Sequence, residues 1–279
     1  VTPPYTCPYH LHSWGRVEDP PVLLLHGFTG HGGSWAEAGQ TFAAAGFHVL
    51  APDLLGHGSS PHPSEWTRYE MARAAADLSL LLDASCSEAV HLAGYSMGGR
   101  LALFFALNYP ARVRTLCLVS ASPGIAAAIE REERRDSDNA LADQIERDGT
   151  AAFVDYWETL PMWESQQRSL SVGQRGQLRA QRLRNRPDGL ANSLRGMGTG
   201  AQPVLLDELP FLDVPTLLIV GAEDGKFVAV NRQMAQRIPE VQEVVVPGAG
   251  HAVQLERPKE FARAALKFWK MNGDSRTTA

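Results

Sequence analysis

Short, almost uninterrupted apolar runs punctuate the chain at spaced intervals. Val22–Leu25, His48–Ala51, Ala89–Gly94, Val113–Ser120, Thr216–Gly221 and Val241–Val246 are rich in leucine or β-branched side chains. Each has the length of a buried strand and is too short for a buried helix. Between them, Ala36–Ala45, Tyr69–Leu82, Met97–Tyr109, Val228–Arg237 and Lys259–Asn272 predict helices. This alternation predicts an α/β fold, with a mostly parallel sheet flanked by helices on both faces. Runs that are apolar at nearly every position, and not at every second one, are expected of strands covered on both sides.

The alternation stops between residues 123 and 208. Helical patterns continue there over Ile125–Asp148, Thr150–Thr159, Ser171–Arg184 and Gly189–Gly196, with no convincing strand. A helical lid inserted into the core is expected, with 1–122 and 209–279 forming the two parts of that core. Such an insertion belongs over the C-terminal edge of the sheet, where open α/β sheets place their ligand crevice. Val1–Arg16 is polar and proline-marked and predicts neither a strand nor a signal peptide, and Asp274–Ala279 reads as a frayed tail.

Composition narrows the function classes. Of 279 residues, 44% are hydrophobic and 20% charged, which excludes wholesale disorder. The net charge of −5 argues against nucleic acid as a partner. Cys7, Cys86 and Cys117 form no CxxC spacing, so they predict a reducing compartment and neither a disulfide framework nor a zinc site. Apolar runs such as Leu101–Leu107 are too short to cross a membrane. The expectation is a cytoplasmic protein acting on a small molecule, without membrane insertion, metal or cofactor, as a monomer or weak homo-oligomer.

Candidate chemistry begins at Gly94-Tyr95-Ser96-Met97-Gly98-Gly99, directly after an apolar strand and at the head of a helix. In that setting G-x-S-x-G is a strand-to-helix turn so tight that small residues must flank the serine, lifting its hydroxyl above the sheet. A serine needs a partner to take its proton. Asp224 follows the strand Thr216–Gly221 and His251 follows Val241–Val246, so all three residues lie beyond strands at one sheet edge. Glu223 and Asp53 are rival acids, though Asp53 precedes the serine and reads as a turn former. His26 and His57 read as structural hydrogen-bonders. Gly27 permits a turn that frees the Phe28 N–H, which together with the Met97 N–H makes a two-donor oxyanion hole.

Arginine dominates the cations, since only Lys226, Lys259, Lys267 and Lys270 are lysines. Seven arginines lie between Ser165 and Arg195 against the single acid Asp188, and Arg175, Arg179, Arg182 and Arg186 share one helical stripe. Two readings stay open: a solvated basic face, or a lid built for an anionic substrate. Arg100, one turn into the nucleophile helix, is either a further substrate cation or half of an ion pair behind the site.

The Ser96, Asp224 and His251 set resembles the α/β-hydrolase superfamily across nearly the whole chain. Within it, Gly94–Arg100, Ser120-Ala121-Ser122-Pro123-Gly124-Ile125, Glu130–Asp138, Phe153–Pro161 and Gly221–Phe227 resemble the 2-succinyl-6-hydroxy-2,4-cyclohexadiene-1-carboxylate synthases of menaquinone biosynthesis. The resemblance implies a lyase that eliminates pyruvate from an enolpyruvyl tricarboxylate. Ser96 would accept the proton, His251 and Asp224 would support it, and Phe28 and Met97 would hold the oxyanion. Tyr95, Arg100, Arg134, Trp157 and Arg182 match the family's substrate-binding positions. The residues alone leave open an esterase, lactonase or carbon–carbon bond hydrolase on the same scaffold, or a non-catalytic receptor for a small ligand.

Overall fold

The computed structural model describes residues 9–86 and 89–272; the expected tail at Asp274–Ala279 and Cys7 lie outside them. Seven strands form one sheet: β1 (Leu11–Trp14), β2 (Pro21–Leu25), β3 (His48–Pro52), β4 (Val90–Tyr95), β5 (Val113–Val119), β6 (Thr216–Gly221) and β7 (Val241–Val246). Their order is β1-β3-β2-β4-β5-β6-β7. All neighbours run parallel except β1, which pairs antiparallel with β3. Six strands match the predicted runs, whereas β1 lies in a segment with no predicted strand. Leu11-His12-Ser13-Trp14 is half polar because it is an edge strand, and it carries no apolar run to announce it. The opposite edge also departs from expectation. β7 is not covered on both sides: Gln242 and Glu243 face solvent and Val245 is 45% exposed.

The central strands feed two cores by the two-residue alternation of a pleated sheet. Val22, Leu24, Val49, Ala51, Ala93 and Ile219 face one cluster, where α1 (Ala36–Ala44) contributes Phe42 and the C-terminal helix contributes Phe261, Phe268 and Trp269. Leu23, Leu25, Leu50, Leu92, Leu116 and Leu218 face the other, built with α2 (Met71–Ser85) and α3 (Met97–Asn108). Burying each such leucine is worth about 1.5–3 kcal/mol, so the sheet centre is the most rigid platform the chain has.

Between β5 and β6 the described chain holds helices and no strand: α4 (Ala128–Trp157), α5 (Glu164–Ser169), α6 (Val172–Arg182) and α7 (Pro187–Met197). The two helices predicted from Ile125 to Thr159 are both present as the two arms of α4, separated at Gly149, whose non-helical backbone (φ 82°, ψ 170°) only glycine adopts freely. α5 was not predicted. α6 starts at a capping box in which Ser171 and Gln174 bond reciprocally. Ala142, Ile145, Phe153, Val154, Leu190, Ala191 and Leu194 give α4 and α7 an apolar cluster of their own. After β6 come α8 (Gly225–Ala235), α9 (Val253–Glu256) and α10 (Pro258–Asn272), the last of these supplying the C-terminal residues of the first core. No described helix is long and apolar enough to cross a membrane.

Candidate active site

Close packing forces the turn between β4 and α3. A Cβ on Gly94 would fall 2.3 Å from the Gly98 carbonyl oxygen, and one on Gly98 would fall 2.3 Å from that of Leu25. Ser96 sits between them at φ 51°, ψ −111°, a strained conformation that costs of order 1–3 kcal/mol and persists only where the surroundings impose it. The strain presents the hydroxyl beyond the sheet edge. His251 Nε2 lies 3.1 Å from Ser96 Oγ, and His251 Nδ1 lies 2.7 Å from Asp224 Oδ2. The other Asp224 oxygen accepts the Phe227 N–H at the head of α8, which orients the carboxylate. His251 is buried, with the Phe227 ring 4.7 Å and the Tyr95 ring 5.5 Å from its own. This is the geometry of a proton relay in which the carboxylate fixes the tautomer that leaves Nε2 free to take a proton.

The rival residues serve as scaffolding. Asp53 accepts the Gly32 and Ser59 N–H groups, each at 2.7 Å, and lies 3.1 Å from His12 Nε2. His10, His12 and Asp53 bring potential metal-ligating atoms within 4.8 Å of one another, a grouping that wide sequence separation hides. The Asp53 oxygens there already hold the two loops together. Glu223 is an exposed partner of Arg168. His26 donates from Nδ1 to the Gly27 carbonyl and accepts the Leu54 N–H at Nε2; burial, with His57 beside it, holds its pKa well below the ordinary value. His57 is likewise buried, which lowers its pKa to about 4. Both rings are neutral supports of the loop that carries Phe28. Among the described residues the Phe28 and Met97 N–H groups have no protein acceptor.

A cavity of about 430 Å³ contains Ser96 and His251 and is bordered by Arg100, Arg134, Trp157 and Lys226. Phe28, Tyr95, Met97 and Asp224 also line it, so every predicted site residue but one meets here. Arg100 is buried with Gln202 Oε1 as its hydrogen-bond partner at 3.3 Å and pairs with no carboxylate among the described residues. Desolvation pulls its pKa down to about 10, so it remains a cation near neutrality. Arg134 donates through Nε to the buried Asp138 at 2.8 Å. Trp157 packs against Phe28 at 5.6 Å and has a buried indole N–H without a partner.

Arg182 is the exception. It lines a neighbouring cavity of only about 40 Å³ with Tyr95 and Trp163. Its guanidinium is paired with Glu158 at 3.0 Å and sits 5.2 Å from the centre of the Trp163 ring. Several other arginines between 165 and 195 are also answered by acids. Arg179 pairs with Asp155 and Glu158, Arg195 with Asp143 and Glu146, and Arg186 with Asp188. Counting charge along 165–195 overlooked the acids that α4 brings across. Lys226 was missed because it stands apart from the arginines in sequence, although its segment was singled out. Glu256, whose carboxylate accepts the Gly250 and Ala252 N–H groups at 2.9 and 3.2 Å, carried no signal in the sequence reading.

Comparison with known proteins agrees with this architecture. A family model described as alpha/beta hydrolase fold matches residues 20–258. A Bacillus subtilis (strain 168) protein provisionally named 2-succinyl-6-hydroxy-2,4-cyclohexadiene-1-carboxylate synthase is 44% identical over 260 residues, 93% of this chain and 94% of the relative. The Serratia proteamaculans (strain 568) protein with that name is 30% identical over 91% of this chain and 94% of its own length. MenH from S. aureus superposes with a TM-score of 0.90 at 34% identity, covering 95% of this chain and 99% of that one. An esterase from Thermogutta terrifontis gives 0.82 at 28% identity, covering 94% and 93%. The chain is a member of the 2-succinyl-6-hydroxy-2,4-cyclohexadiene-1-carboxylate synthase family within the α/β-hydrolase superfamily.

Proposed function

We propose that the protein is a carbon–oxygen lyase that eliminates pyruvate from 2-succinyl-5-enolpyruvyl-6-hydroxy-3-cyclohexene-1-carboxylate to give 2-succinyl-6-hydroxy-2,4-cyclohexadiene-1-carboxylate. The observation that carries this reading is the buried, carboxylate-free guanidinium of Arg100 in the cavity of Ser96. An uncompensated buried charge costs several kcal/mol, and a substrate anion removes that penalty. Lys226 borders the same cavity, as does Arg134, whose charge is shared with Asp138, so the wall carries cations suited to a polycarboxylate.

The reaction follows from the atoms in place. Ser96 Oγ passes its proton to His251 Nε2, and the resulting imidazolium is held by Asp224. The alkoxide takes the proton α to the succinyl ketone, and the Phe28 and Met97 N–H groups receive the enolate oxygen. When the enolate collapses, electrons move through the ring, the carbon–oxygen bond to the enolpyruvyl group breaks, and the imidazolium proton is available to the departing pyruvate. The substrate class requires no metal. Helical segment 123–208 acts as a lid that excludes water while the alkoxide exists. Tyr95 and Trp157 shape the wall of the cavity, and Arg182 supports Tyr95 and Trp163 from behind. The protein is read as a cytoplasmic monomer or weak homo-oligomer.

An esterase shares the same relay and differs in what the cavity admits. Pyruvate release from the enolpyruvyl triacid, followed alongside cleavage of a p-nitrophenyl ester, separates the two. Rapid pyruvate release with little ester turnover is expected; the reverse pattern assigns the protein to the esterases.

A further inference from the structure

The loop that carries His251 is anchored by a second carboxylate, distinct from Asp224. Gly250 and Ala252 flank His251, and their N–H groups both donate to Glu256, one to each oxygen, at 2.9 and 3.2 Å. Glu256 is 4% exposed, on α9. The helical insertion also reaches it: Ser169 Oγ on α5, whose proton has the Ser165 carbonyl as its nearer acceptor at 2.9 Å, lies 3.4 Å from Glu256 Oε2. α5 also packs directly on this loop, since a Cβ on Gly250 would fall 2.0 Å from Ser165 Oγ.

We infer that Glu256 is a positioning residue for His251, through which the seating of α5 sets the alignment of the imidazole with Ser96. The Ala252 N–H belongs to the peptide plane that follows His251 and the Gly250 N–H to the plane one residue further back than the one preceding it, so the two bonds pin the chain on both sides of His251 and restrict the direction of its Cα–Cβ bond. Only a carboxylate can do this here, because both of its oxygens accept. A glutamine would turn its NH2 towards one of the two N–H groups and leave that donor unpaired. The consequence falls on proton transfer, since Ser96 Oγ and His251 Nε2 are 3.1 Å apart and small misplacements act steeply on such a step. The inference rests on the relay assigned above and is independent of which substrate the relay serves.

Two readouts test it. In Glu256→Gln, kcat for pyruvate release should fall about 10²-fold with KM within about twofold. A low-field proton NMR signal of the His251 Nδ1–H is expected in wild type from its 2.7 Å contact with Asp224, and it should broaden or shift in the variant even where the melting temperature shows a folded protein. An unchanged kcat together with an unchanged signal would overturn the inference, whatever happens to stability. Should the glutamine variant not fold, Glu256→Asp keeps the charge but withdraws it by one methylene. It should lower kcat at constant KM, and a wild-type kcat in that variant would equally contradict the proposal. The NMR signal needs no substrate, so absence of pyruvate release from the wild-type protein would refute the lyase reading while this test still returned its own answer.

Discussion

The sheet edge and the helical segment above it hold functional side chains in different ways. At the sheet edge, Ser96, Asp224 and His251 stand on turns just beyond strand ends, oriented by the turn backbone and by their contacts with one another. In the helical segment, cations ride on surfaces whose register decides what they meet. Arg134 reaches the catalytic cavity, while Arg182 turns to Glu158 and a separate pocket. A strand-end turn fixes direction by covalent geometry, whereas a helical side chain has its direction set by neighbours from other elements. The chemistry is therefore expected to tolerate least change at the sheet edge, and selectivity to be distributed over the cations.

Variants can break this comparison, and the largest effects should come first. Ser96→Ala and His251→Ala should each lower pyruvate release by about 10³-fold or more, and the double variant should be no worse than the single ones, because the pair acts as a unit. Additive losses in a coupled lactate dehydrogenase assay would contradict a shared proton relay. Asp224→Asn, which preserves shape but favours the wrong imidazole tautomer, should cost about 10²–10⁴-fold in kcat with little change in KM.

The cations should act differently. Arg100→Met and Lys226→Met should raise KM about tenfold and leave kcat nearly unchanged, consistent with loss of an ion contact made equally in ground and transition states. Arg100→Met should also raise the melting temperature, since it removes a buried charge without a carboxylate partner. Arg182→Met should have a smaller effect on KM than either. A larger effect would mean that Arg182 leaves Glu158 to bind substrate directly.

The smallest effect concerns pH and the core. Burial lowers the pKa of His57 to about 4 and of His91 to about 3. The unfolded chain protonates these rings near pH 6.5, so it binds more protons than the native state below that value. Stability should be fully present above about pH 6.5 and decline as pH falls towards about 4. Melting temperatures across this range check the direction, and His91→Gln should flatten the slope.

Much of the sheet-edge chemistry was legible because each signal is local. The glycine-flanked serine, the acid and the histidine are far apart in the chain, but each follows its own apolar strand directly and is read within that short stretch. β1 escaped because Leu11-His12-Ser13-Trp14 gains its strand identity only by pairing with β3. The arginine stripe misled for a related reason. The counter-charges of Arg179, Asp155 and Glu158, lie on α4 and at its C-terminal cap, as Asp143 and Glu146 on α4 answer Arg195 further along the chain, and only tertiary packing brings them across. Lys226 lies within a recognisable segment, but nothing in its spacing says that its side chain borders the cavity. Glu256 makes its contacts through backbone N–H groups, which no side-chain pattern reports.

The central claim is that a hydrolase-type relay here serves elimination from a polyanion. The most direct measurement supplies the purified protein with the enolpyruvyl triacid and, separately, with a neutral p-nitrophenyl ester. The account predicts stoichiometric pyruvate with the triacid, abolished in Ser96→Ala, and negligible nitrophenol from the ester. Fast nitrophenol release with no pyruvate would contradict it.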